Sequence, residues 1–77
     1  DLPEEVEFYQ GEEGATAFLE LYTYVVELET SMPGLQSTYR NNQGKIATIQ
    51  EHQPQIFDQI KAVYNRRKAH IEKNAGD

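Results

Sequence analysis

The spacing of apolar residues changes along this chain, and each change predicts an element. In the opening stretch DLPEEVEFYQ, the run Glu5, Val6, Glu7, Phe8 alternates polar and apolar. A period of two is that of an extended chain. The stretch is too short to make a sheet by itself, and no clear second strand pairs with it. It reads as an N-terminal arm over residues 1–11 that lays Val6 and Phe8 on the body. Gly11 and Gly14 bracket Glu12 and Glu13 in a turn, and acids there suit the positive end of a following helix.

From residue 15 the period lengthens. In ATAFLELYTYVVELETSM, residues 15–32, Glu20, Thr23, Glu27 and Thr30 recur at steps of three and four and form one narrow polar stripe. Phe18, Leu19, Leu21, Tyr22, Tyr24, Val25, Val26 and Leu28 fill most of the remaining girth. A helix apolar over that much of its surface is expected to be central, covered on two sides. The run YTYVV has β propensity, but the Glu/Thr stripe fits a period of 3.6 better than a period of two. Met32-Pro33-Gly34 is read as the end of the helix.

Residues 35–51 predict a weaker helix. Its apolar row is Leu35, Tyr39, Ile46 and Ile49, with Asn42 where a further apolar residue would fit. Gly44 costs such a helix about 1 kcal/mol against Ala and marks either a close approach by the first helix or a weak point. A stronger helix over residues 54–73 follows, with Ile56, Phe57, Ile60, Val63, Tyr64 and Ile71 on one face. Asn74-Ala75-Gly76 reads as its stop.

Pro54 decides the architecture. Inside a helix it would remove a backbone bond and clash with the preceding turn, at about 3 kcal/mol, whereas at a helix start it costs almost nothing. Against a break, Leu35, Asn42, Ile49, Ile56, Val63 and His70 are each seven apart, a diluted heptad seam. The caps around Gln53 are also poor. Length favours the break: three helices of similar size cover one another, while a single long helix would leave half its length bare. The preferred reading is all-α, a small three-helix bundle over residues 12–77 behind the extended arm. The alternatives are a long kinked helical hairpin that dimerises and a mixed fold with a small sheet.

Composition narrows the function. The chain has 77 residues and no cysteine, so it is one domain at most and has neither disulfides nor thiolate metal sites. A chain this short buries only about 60% of its unfolded surface, and a partner or second copy would add to a small stability. The absence of an initiating Met suggests a processed protein or an excised fragment. No apolar run is long enough to span a bilayer and no signal segment opens the chain, so a soluble location is expected; of the compartments, which the sequence does not distinguish, the cytoplasm is favoured.

Charge is unevenly placed. The net charge is −6; residues 1–31 carry nine acids and no Lys or Arg, and residues 32–77 carry seven bases and four acids. An acidic first helix against basic later ones accounts for the split, and the acidic total opposes nucleic-acid binding.

Candidate chemistry is sparse. The sequence has no phosphate-binding glycine loop and no H-E-x-x-H pattern. His52 and His70 alone make no metal site. Ser31 and Ser37 lie near helix ends, where capping is the expected role. No catalytic, cofactor-binding or metal-ligating residue is assigned, and a non-enzyme is expected, without a small-molecule substrate or a membrane partner. The five tyrosines suit half-buried boundary positions and interfaces. The expected function is protein–protein interaction or assembly, with another protein or a second copy, through an apolar, Tyr-bearing surface at Tyr22, Tyr24 and Val26. Tyr64, Arg66, Arg67 and Lys68 form a second candidate surface, for an anionic partner. Its three bases are consecutive and so spread around the helix. A nucleic-acid-associated role for this basic helix, using Tyr64, Arg66, Arg67, Lys68 and Lys73, is the alternative.

Overall fold

The computed structural model describes residues 3–75. The outer limits of the expected arm (1–11) and helical domain (12–77), and the stop at Gly76, lie outside the described residues. The fold is all-α, as expected, and no strand is present among the described residues. A 3-10 helix at Val6–Gln10 is followed by α1 (Glu12–Leu28), α2 (Met32–Asn41), α3 (Gln43–His52) and α4 (Pro54–Ala75).

The arm is not extended. Its backbone coils into a tight turn, and the side chain that enters the body is Tyr9, fully buried, while Val6 and Phe8 stay substantially exposed. The turn sits between α1 and α3. The Tyr9 ring meets Phe18 of α1 edge-on at 5.8 Å, and its hydroxyl donates to the Pro3 carbonyl. The polar tip is thus satisfied within the arm, which lets the ring be buried without a stranded donor. Gly14 makes the docking possible. A Cβ there would lie 1.8 Å from the Phe8 carbonyl oxygen.

α1 begins earlier and ends earlier than the expected 15–32. Glu12 and Glu13 already stand in its first turn, and the chain leaves the helix at Glu29, whose N–H donates to the Val26 carbonyl at 3.1 Å. Met32-Pro33-Gly34 is a start, not a stop. Ser31 caps α2 by accepting the Gly34 N–H at 3.2 Å, and Pro33 stands in the first turn, where its missing N–H leaves nothing unsatisfied.

The expected helix 35–51 is two helices joined at Asn42 (φ −115°, ψ 17°). The Asn42 side-chain amide donates to the Thr38 carbonyl at 2.7 Å, and its backbone N–H turns to Tyr39. A side chain that competes for the backbone ladder in this way breaks a helix. Gly44 is exposed, with Val6 Cγ1 4.0 Å from where a Cβ would stand, so no helix approaches closely there. Pro54 is the first residue of α4. Gln53 before it is non-helical (φ −135°, ψ 66°) and closes α3 by donating to Ile49 at 2.7 Å.

One core ties the elements together. Phe18, Tyr22 and Val26 of α1 pack with Leu35 of α2, Ile46 and Ile49 of α3 and Ile56, Phe57 and Ile60 of α4. Each such side chain contributes about 1.5–3 kcal/mol by leaving water. The body measures 42 × 22 × 16 Å. No helix among the described residues is long and apolar enough to cross a membrane.

Candidate contact surface

α1 supplies both the centre of the core and an uncovered face. Successive helix residues are turned by about 100°, so Phe18, Tyr22 and Val26, four apart, descend one side into the core. Tyr22 is 2% exposed and Val26 is fully buried. Neither can meet a partner, which corrects their assignment to the contact surface. The Tyr22 hydroxyl donates to Thr38 Oγ1 at 3.1 Å, and the Thr38 hydroxyl donates in turn to the Leu35 carbonyl at 2.6 Å. Burial raises the Tyr22 phenol above its ordinary value, partly offset by the Thr38 hydrogen bond, with smaller upward contributions from Tyr64 and Tyr39.

Tyr24 alone of the three is outside. It is 64% exposed, with Leu28 at 63% and Leu21 at 46%. Ala17, Leu21, Tyr24 and Leu28 step by four, three and four, the spacing of one helix face. Half-buried Val25 borders this strip on the core side. The strip continues toward the arm. Gly14, seven residues before Leu21, lies under the exposed Phe8, whose ring approaches to 3.1 Å from the position of a Gly14 Cβ. Along the other edge run Glu13, Glu20 and Glu27, also seven apart and all exposed. The outer face of α1 is therefore an apolar strip beside an acidic row.

The second predicted surface is divided. Tyr64 is half-buried and meets Tyr39 of α2 edge-on at 5.6 Å. Together with Gln36, Arg40 and Gln43 these rings line a shallow cleft. Arg67 is turned inward, its Nε donating to the Glu29 carbonyl at 2.8 Å. A cation at the negative end of α1 is well placed against the helix dipole. Arg66 and Lys68 remain exposed. Arg66 and Arg67 share a cleft with Glu27, Val63 and His70, while Lys68 does not line it. The bases are not gathered on one face.

Nothing in the described residues forms a metal centre: no three His, Cys, Asp or Glu side chains are grouped to hold an ion. His52 stands 3.9 Å from Glu51, and His70 pairs with Asn74 at 2.9 Å. No protein-family model, curated protein or solved structure matches this chain.

The sequence reading missed Leu21, Leu28 and Phe8. The signal for the two leucines was present, since 17, 21, 24 and 28 keep helical steps. Tyr22, Tyr24 and Val26 step by two, which on a helix sends neighbours to nearly opposite sides. Phe8 carried no such signal, because its exposure follows from the arm's coiling.

Proposed function

We propose that this protein is a non-catalytic interaction module that docks a partner on the outer strip of α1. The observation that carries this reading is the exposure of Leu21, Tyr24 and Leu28 on one row of a helix whose other side is the core of the fold. Large apolar side chains scattered singly on a surface need no explanation, but a contiguous row of them marks a contact site. Tyrosine and leucine at helical spacing match recognition of one helix by another, with anchors at i, i+3 and i+7.

The nucleic-acid alternative has less support. Arg67 is committed to the α1 carbonyl end and half-buried Tyr64 is held edge-on against Tyr39. That leaves Arg66, Lys68 and Lys73 exposed on a chain of net charge −6.

The test is an NMR titration with a synthetic amphipathic peptide about five turns long, carrying a leucine stripe and glutamine flanks. Shifts concentrated on Ala17, Leu21, Tyr24, Val25 and Leu28 are expected. Shifts confined to α4, or none at millimolar peptide, would refute the reading.

A further inference from the structure

We infer that the occupant of the α1 strip is an amphipathic helix of another protein, with Lys or Arg along one edge of its apolar stripe. The inference rests on the reading of the strip as a docking surface and adds the chemistry of the partner. Two observations carry it.

The first is shape. From Ala17 to Leu28 the strip is one side chain wide and straight along a helix axis, about 16 Å long at 1.5 Å per residue. Phe8 over Gly14 extends it by roughly another turn. A narrow apolar line on a convex helix is matched by another helix laid alongside it, whose own apolar stripe has the same width.

The second is charge. Glu13, Glu20 and Glu27 form a row beside the strip, in register with it, and α1 contains no Lys or Arg. Among the described residues the ion pairs are Lys45 with Glu4 and Lys61 with Asp58, and His52 lies beside Glu51, so the row is left out of all of them. Glu27 shares a cleft with Arg66, Arg67 and His70 without an ion pair to any of them. Two copies pairing antiparallel through this strip would bring acidic row against acidic row on the same side, and α1 has no base to relieve it. A helix with basic residues along that edge meets three unpaired carboxylates at heptad spacing. Complementary edge charges of this kind select the partner and orient it. An anionic membrane is repelled by the same row.

The experiment compares three peptides with the same leucine stripe and with lysine, glutamine or glutamate at the edge positions, titrated against the whole chain. The lysine peptide is expected to bind on the order of tenfold more tightly than the glutamine peptide at low salt, with the glutamate peptide weakest. About 0.5 M salt should remove the difference. The triple change Glu13→Gln, Glu20→Gln, Glu27→Gln should bring the affinities of the three peptides together. Helical content measured by circular dichroism checks that this variant is folded.

Equal binding of the three peptides by the unmodified chain, with shifts still on the strip, overturns the charge inference and leaves the docking reading standing. Absence of binding by all three overturns both. A dimer seen by light scattering that Leu21→Lys dissociates would make a second copy the occupant and overturn the inference. Binding to phosphatidylserine vesicles that Leu21→Lys abolishes would do the same in favour of a membrane.

Discussion

Tyr22 and Tyr24 stand two residues apart on α1 and live in different solvents. Tyr22 packs on Phe18, ring on ring at 5.3 Å, and ends in a hydrogen-bonded chain through Thr38 to Leu35. Tyr24 faces water between Leu21 and Leu28. The two faces of one helix thus use the same residue types for different ends. The inner face holds four helices and the 3-10 turn together. The outer face stays largely in water. Both faces are apolar, so hydrophobicity alone does not separate them; angular position does.

The sharpest separation is expected at Phe18. It lies between Tyr9 of the arm and Tyr22 of its own helix, so Phe18→Ala removes the ring that joins the arm to α1. A loss of about 3–5 kcal/mol is expected, read as a large fall in the urea midpoint. Leu21→Ala, three residues on, should move the midpoint by an amount close to experimental error. Equal losses at the two positions would break the distinction between the faces.

How much of this was legible in the sequence varies by element. The all-α class and the break at Pro54 were readable, because periodicity and proline chemistry act through the local backbone. The split at Asn42 was visible only as a polar residue in an apolar row. Its cause is a side-chain hydrogen bond to Thr38 that competes with the ladder. Ser31-Met32-Pro33-Gly34 carries start and stop signals together, and Ser31 as a cap settles it as a start. The arm was misread because Glu5-Val6-Glu7-Phe8 alternates, yet the buried residue is Tyr9, whose place depends on a gap above Gly14. Burial on α1 needed the angular positions of the neighbouring helices, and these are tertiary information. The acidic row, by contrast, follows from the numbering of Glu13, Glu20 and Glu27 once the helix is accepted.

Two of the helical glycines, Gly14 and Gly44, extend the comparison to the arm. Gly14→Ala would push a methyl into the Phe8 backbone, which must move, and the 3-10 helix with it. The helix-propensity gain of about 1 kcal/mol is outweighed by the cost of overpacking and of loosening Tyr9, leaving a net loss of about 1–2 kcal/mol. Gly44→Ala meets nothing closer than Val6 Cγ1 at 4.0 Å, so in the first turn of α3 it should gain up to about 1 kcal/mol. Thermal unfolding of the two variants side by side reads the difference in sign. A stabilised Gly14→Ala would mean that the arm is not held against α1.

A smaller effect, of about 1 kcal/mol, is expected for Tyr22→Phe, which removes one buried hydrogen bond but leaves Thr38 bonded to Leu35. Its pH dependence is more informative. Burial raises the folded-state pKa of Tyr22 above the ordinary 10.0. The unfolded chain therefore loses this proton first as pH rises, and the folded state holds more protons above pH 10. Stability is fully present below that value and falls as pH climbs through the raised folded pKa. Tyr9 is shifted upward as well, by burial and by Glu4 and Glu5, so Tyr22→Phe should flatten part of the alkaline decline and leave part. An unchanged decline in the variant would place the titration elsewhere.

The smallest effect on stability is expected where the largest effect on binding should be found. Leu21→Gln with Leu28→Gln replaces two side chains that are already about half or more in water. Each change should alter folding stability by no more than about 0.5 kcal/mol, and the α1 helix keeps good helix formers at both positions. Peptide binding on the strip should fall steeply, because each leucine would be desolvated fully only in the complex. The pair separates the two meanings an exposed leucine can have. If unfolding is unchanged and binding is lost, the outer face exists for contact. If unfolding shifts by as much as it does for an inner-face change, the strip is covered in the folded protein, and its apolar residues belong to the fold.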